Sequence, residues 1–73
     1  MKLSARNSLK GTIKNIIVGA VNAEVVIELQ GGDQVTSIVT KEAVTSLGLA
    51  EGGTAYAIIK ASNVMLGVDS NSR

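Results

Sequence analysis

Apolar and polar residues alternate most regularly over residues 22 to 30. Ala23, Val25, Ile27 and Leu29 fall on one side, and Asn22, Glu24, Glu28 and Gln30 on the other, with Val26 the exception. A period of two over this length predicts a strand with one buried face. Residues 9 to 18 carry the same alternation at first, with Leu9, Gly11 and Ile13 set against Lys10, Thr12 and Lys14. After Asn15 the apolar positions move to Ile16-Ile17-Val18, and this break of phase predicts a bulge or a strand passing from one face to another, and is also consistent with a strand buried on both faces in an assembly. Gly19-Ala20 follows as a small-residue bend. Gly31-Gly32-Asp33 supplies the permissive dihedrals of a hairpin turn, and the β-branched run Val35 to Val39 makes its second strand.

At Thr40 the period changes. Thr40 can cap a short helix, with Glu42 favourable near its positive end. Ala43, Val44 and Leu47 then share one helical face. Gly48 suits the left-handed position past the helix end, and Leu49 can fold back onto Val44 in a Schellman stop. Glu51-Gly52-Gly53-Thr54 reads as a turn, Ala55 to Ile59 as a strand, Ala61-Ser62-Asn63 as a polar corner and Val64 to Val68 as a final strand broken by Gly67. The expected order is three strands, a short helix and two strands. That is an all-β chain with one short helix, and the pattern of a five-stranded OB-like barrel; an SH3-like barrel is the alternative. One domain over residues 1–69 is expected, with 70–73 a disordered polar tail.

Length sharpens this picture. A chain of 73 residues buries only a modest share of its surface, and such domains usually lean on disulfides, metals or association. Cys and His are absent, which removes disulfides, thiolate and imidazole metal sites and the commonest general base. With 45% hydrophobic residues, a homo-oligomer is the expected support. No apolar run is long enough to cross a membrane. Met1 to Arg6 has no apolar core of signal-peptide length, so the cytoplasm is the expected compartment.

Charge and side-chain chemistry exclude most functions. The acids Glu24, Glu28, Asp33, Glu42, Glu51 and Asp69 are scattered, and Glu24 and Glu28 on one strand face lie roughly 13 Å apart, too far to act as a pair. No serine is followed by the base and orienting acid that a nucleophile needs, so an enzyme is not expected. A net charge of +1 and a single aromatic, Tyr56, give neither the basic groove nor the stacking platforms of a single-strand nucleic-acid binder. Gly31-Gly32 and Gly52-Gly53 lack the Lys-Ser or Lys-Thr of a phosphate loop.

A small oxyanion is the ligand class left. It needs converging donors, backbone N–H groups among them, and no nearby carboxylate. Two places qualify. Ser4-Ala5-Arg6 could face Lys60-Ala61-Ser62 if the first strand lies beside the last corner. The bend Gly19-Ala20-Val21-Asn22 could expose backbone N–H groups. Taken as isolated residues, each place reads better as ordinary structure than as a ligand site: a polar edge, a surface lysine, a turn and a bulge.

Ser4-Ala5-Arg6-Asn7 followed by Leu9-Lys10-Gly11-Thr12-Ile13 resembles the opening of the molybdate-binding Mop-type domain, the molbindin family. The similarity continues through Gly19-Ala20-Val21-Asn22-Ala23-Glu24-Val25, Ser37-Ile38-Val39-Thr40, Leu47-Gly48-Leu49 and Ile58-Ile59-Lys60-Ala61-Ser62-Asn63-Val64. The resemblance implies an OB-like barrel assembled as a trimer of dimers, a homohexamer, with the leading strand exchanged. It implies molybdate or tungstate bound at subunit interfaces for storage or homeostasis. Its motif positions match Ser4, Ala5, Arg6, Lys60 and Ser62, and a second class of site matches Gly19, Ala20, Val21 and Asn22. A pterin-bearing form of the metal stays open, although no pair of aromatics is present to stack a pterin ring. An assembly module without oxyanion binding and a weak single-strand nucleic-acid binder are the other functions to weigh.

Overall fold

A computed structural model describes residues 6–70. Four strands form one antiparallel sheet: β1 (Asn7–Val18), β2 (Asn22–Leu29), β3 (Gln34–Thr40) and β4 (Thr54–Ile59), in the spatial order β3-β2-β1-β4. A six-residue helix, α1 (Lys41–Ser46), joins β3 to β4, and a 3₁₀ turn at Ala61–Asn63 follows β4.

β1 is central because it pairs with β4 through Asn7 to Thr12 and with β2 from Gly11 onward. Within the β1–β2 ladder the register shifts: Ile13 faces Ile27, yet Asn15 faces Val26, leaving Lys14 as the extra residue of a bulge. The phase break in the sequence therefore marks a real bulge, which turns the strand and curls the sheet into a half-barrel. The turn before β4 takes up the backbone groups near this bend. Ile13 N donates to Gly53 O and Gly52 N donates to Ile13 O, both at 2.8 Å. Glu51 Oε2 accepts from Ile16 N at 3.3 Å.

The concave side holds the core: Ile13, Ala23, Val25, Ile27 and Ala57 are buried. Ile16, Leu29, Val35, Val39, Leu49 and Ala55 pack around them, half-buried. Gly11 sits where β1 and β2 approach most closely. A Cβ there would run into the Ile27 Cγ2 methyl and would stand 2.7 Å from Glu28 O, so the strand spacing requires a hydrogen at this position.

α1 begins and ends as its residues dictate. Thr40 Oγ1 accepts from Ala43 N at 3.0 Å, and Glu42 lies in the first turn. At the other end Gly48 adopts φ +65°. Gly48 N donates to Thr45 O at 3.1 Å and Leu49 N to Val44 O at 2.9 Å, the paired bonds of a Schellman stop. Leu47 departs from its expected place on the buried helical face. It is the residue that ends the helix and it is exposed, while Ala43 and Val44 are half-buried.

The fifth strand expected at Val64 to Val68 is not paired: these residues run without a ladder, and the sheet has four strands. Ser4 and Ala5, and residues 71–73 of the expected tail, lie outside the described residues. No helix among the described residues is long and apolar enough to cross a membrane.

Gly11→Ala is expected to destabilise the fold by about 1–3 kcal/mol through overpacking against β2. Urea unfolding followed by circular dichroism checks this.

Candidate functional site

The end of the sheet where β1 starts and β4 finishes gathers the donors singled out in the sequence. Asn7 stands opposite Ile59 in the antiparallel register, so the next residues outward, Arg6 and Lys60, leave the ladder at the same end. Asn7 Nδ2 donates to Ile59 O at 3.2 Å across this last rung. Asn7 belongs to the opening motif, but its side chain was not among the expected site residues. Its role as a clamp emerges only from the register.

Beyond Ile59 the chain turns sharply. Lys60 is extended, at φ −62° and ψ 136°, and leads into the 3₁₀ turn that contains Ser62. Asn63 N donates to Lys60 O at 2.9 Å and Val64 N to Ala61 O at 3.3 Å, which fixes the corner by its own backbone. Arg6, Lys60 and Ser62 are all exposed. None of the six acids lies within residues 6–13 or 54–63. The corner thus presents two cations and a hydroxyl, fit to receive an acceptor-only group.

The second candidate region is at the far end of β1. A 12-residue strand puts the two regions roughly 35–40 Å apart along its path, so one chain does not bring them together. Gly19, Ala20, Val21 and Asn22 form an exposed bend. Gly19 N already donates to Asn22 O at 2.8 Å, and Val21 O accepts from Lys41 N at 2.9 Å. The expectation of free backbone N–H groups is therefore reduced by one, because the bend closes on itself.

A groove of ≈ 480 Å³ lies elsewhere, lined by Lys10, Gly11, Thr12, Glu28, Gln30 and Thr54 among others. It contains the Glu28 carboxylate, which pairs with Lys14 Nζ at 3.5 Å. A carboxylate in its wall makes this groove a poor host for a dianion. No cluster of metal-ligating side chains occurs among the described residues.

The model of the TOBE domain matches residues 3–66. The chain belongs to the TOBE family. This TOBE chain is 52% identical over 69 residues to a probable molybdenum-pterin-binding protein of Haemophilus influenzae, covering 94% of the chain and all of that protein. Among solved structures it is similar to a cytoplasmic molybdate-binding protein, ModG, with molybdate bound. Identity there is 64% and the TM-score 0.90, over 94% of the TOBE chain and 49% of ModG. It is also similar to MopII from Clostridium pasteurianum, at 42% identity and TM-score 0.86, over 92% of this chain and all of that one. These likenesses place the half-barrel among OB-like folds.

Asn7→Ala is expected to cost about 1 kcal/mol of stability by removing the Asn7–Ile59 bond. Hydrogen exchange should show faster opening at the Asn7/Ile59 end while the Ile13–Ile27 region stays protected.

Proposed function

We propose that this TOBE chain binds molybdate, with tungstate as a close substitute, and serves to store or buffer the oxyanion in the cytoplasm. It acts by binding and not by catalysis. The observation that supports this reading is the β1–β4 register, in which Arg6 and Lys60 follow the last rung, Asn7–Ile59, at one end of the sheet. The molybdate-bound ModG neighbour supports the choice of ion. Ser4, Ala5, Arg6, Lys60 and Ser62 form the main site in this proposal, and Gly19, Ala20, Val21 and Asn22 contribute to a second.

The ion's chemistry fits the donor set. Molybdate is a tetrahedral dianion whose oxygens accept hydrogen bonds and donate none. A cage of donors suits it and disfavours monoprotonated phosphate, whose O–H would meet another donor. Sulfate has the same charge but shorter bonds, so the spacing of the donors must reject it. An exposed corner on one copy surrounds only part of a tetrahedron. The proposal therefore places the ion at an interface between copies, in a trimer of dimers whose subunits complete five-stranded barrels. Bound ion then stabilises the assembly by mass action.

The names of several relatives favour a second reading, a pterin-bearing form of the metal. Tyr56 is the single aromatic and is half exposed on β4. It lies four residues from Lys60, roughly 13 Å along an extended chain. A ring bound at the corner would have no aromatic partner, so the free oxyanion is the better fit.

Calorimetry with molybdate, tungstate, sulfate and phosphate tests the proposal. Strong heats are expected for the first two and weak or no heats for the others; equal or absent heats for all four would reject it. Lys60→Ala should weaken molybdate binding by roughly ten- to a hundredfold through loss of a charge-assisted bond, with the circular dichroism spectrum unchanged.

A further inference from the structure

The outward face of the sheet, which the oxyanion corner does not use, carries the groove of ≈ 480 Å³. Its walls follow from strand register. Thr12 of β1 stands opposite Glu28 of β2 on one side and opposite Thr54 of β4 on the other. These three residues form one polar row across three strands, at about 4.8 Å per step. Two residues along the same strands, about 7 Å away, a second row runs from Gln30 through Lys10 to Tyr56. Lys10 and Tyr56 are register partners, and Gln30 lies one residue past the last β1–β2 rung, Gly11–Leu29. Five of the six line the groove, and Tyr56, half exposed, stands at its β4 margin. The neighbours that point inward, Ile27, Ala55 and Ala57, belong to the core, so packing fixes the backbone beneath both rows. Tyr56 is the single aromatic of the chain, and burial does not account for its place here.

The chemistry of the groove is mixed, unlike that of the Lys60 corner. The Thr12 and Thr54 hydroxyls and the Gln30 amide donate and accept; Lys10 only donates, and ionised Glu28 only accepts. A planar ligand with donors on one edge and acceptors on another meets partners throughout. The carboxylate narrows the choice, because its two oxygens accept best from two N–H groups held side by side. The 2-amino-4-oxopyrimidine ring of guanine and of pterin presents such a pair, its amino group and the adjacent ring N–H, with a carbonyl next to them. Adenine and cytosine set a bare ring nitrogen beside the amino group, and that nitrogen would face the carboxylate lone pair to lone pair. Glu28 is available for this contact: its bond to Lys14 Nζ is 3.5 Å long, engages Oε1 and joins two partly exposed side chains, a pair of little strength. Tyr56 offers the ring a face to stack on. Glu28 and Tyr56 stand at diagonal corners of the two rows, roughly 12 Å apart from Cα to Cα, a span that two fused rings and the two side chains reaching inward can close.

We propose that this groove is a separate ligand site for a 2-amino-4-oxopyrimidine ring of the guanine or pterin kind. Glu28 accepts from its paired N–H groups, Lys10 and Gln30 donate to its carbonyl edge, and Tyr56 stacks on its face. The proposal goes beyond the oxyanion reading and does not depend on it. Thr54 precedes Lys60 by six residues, roughly 20 Å of extended chain, and the two sites call for opposite chemistry, one with a carboxylate and one without.

Because Tyr56 is the only aromatic, its fluorescence reports this groove alone. The test titrates the full chain, without molybdate, with guanosine, with neopterin and with adenosine as the control, correcting for absorption by each probe. Saturable quenching by guanosine, neopterin or both is expected, with none by adenosine; which of the two binds tells a nucleotide from a pterin source. Glu28→Gln replaces one acceptor oxygen by a donor and should weaken ring binding by about tenfold or more. Tyr56→Leu, followed by calorimetry, should weaken it by about tenfold as well. Lys60→Ala should leave ring binding unchanged and Glu28→Gln should leave the molybdate heats unchanged, so failure of this site and failure of the oxyanion proposal are read separately. Three results overturn the proposal: no saturable quenching by either ring, quenching by adenosine at the same concentrations, or a folded Glu28→Gln chain that binds the ring as tightly as wild type. Should Glu28→Gln fail to fold, Tyr56→Leu and the adenosine comparison decide.

Discussion

Contact between the two halves of a bent strand is the constraint on which this chain depends. Ile13 lies at the bend of β1 and is the most deeply buried large side chain. It meets Val25 and Ile27 from β2 and Ala57 from β4 within one cluster. Bending there is possible because Lys14 is spare in the ladder and because the Ala50–Gly53 turn bonds to Ile13 on the other side. Gly11 allows the strands on either side of the bend to close up. Every other element is placed by this arrangement: the hairpin extends it, α1 spans one rim and β4 brings the Lys60 corner back to the start of β1.

The same arrangement explains why the donors stand at the sheet's end. A ladder holds its terminal rung rigidly at low entropic cost, since the rungs behind it are already ordered. Arg6 and Lys60 emerge from the two strands of one such rung, clamped by Asn7. Both residues follow that rung at the same end of the sheet, and no acid lies within residues 6–13 or 54–63. Such a pairing of like charges is mildly unfavourable in isolation and is relieved when an anion arrives.

Much of the fold was legible in the residues because the determinants are local. Period two marked β2, the phase shift after Asn15 marked the bulge, and Thr40 with Gly48 and Leu49 marked both ends of α1. Leu47 was misplaced because a two-turn helix leaves its last residue in the cap, where the helical period no longer applies. The trailing strand was legible as a strand but not as an unpaired one, since pairing depends on where an edge lies and not on the segment's own composition. At the corner, the charges of Arg6 and Lys60 were visible, but their shared position follows only from the Asn7–Ile59 register. Ser4 and Ala5 remain expectations from resemblance. The Gly19–Asn22 bend was legible as a bend, while the bond from Gly19 to Asn22 that uses up one of its donors was not.

The bulge also governs where this scaffold can accept change. A single residue added or removed between Gly11 and Ile16 would exchange inside for outside along the rest of β1, turning the Ile13 cluster against its own strand. The Gly31-Gly32 hairpin is different: neither glycine has a neighbour within 4 Å where a side chain would project, and Leu29 and Asp33 close the loop behind them with a 2.7 Å bond. Foreign peptide spliced in at that tip would extend into open space and leave the register of both flanking strands as it is, which makes the hairpin a natural graft point for tags or display sequences.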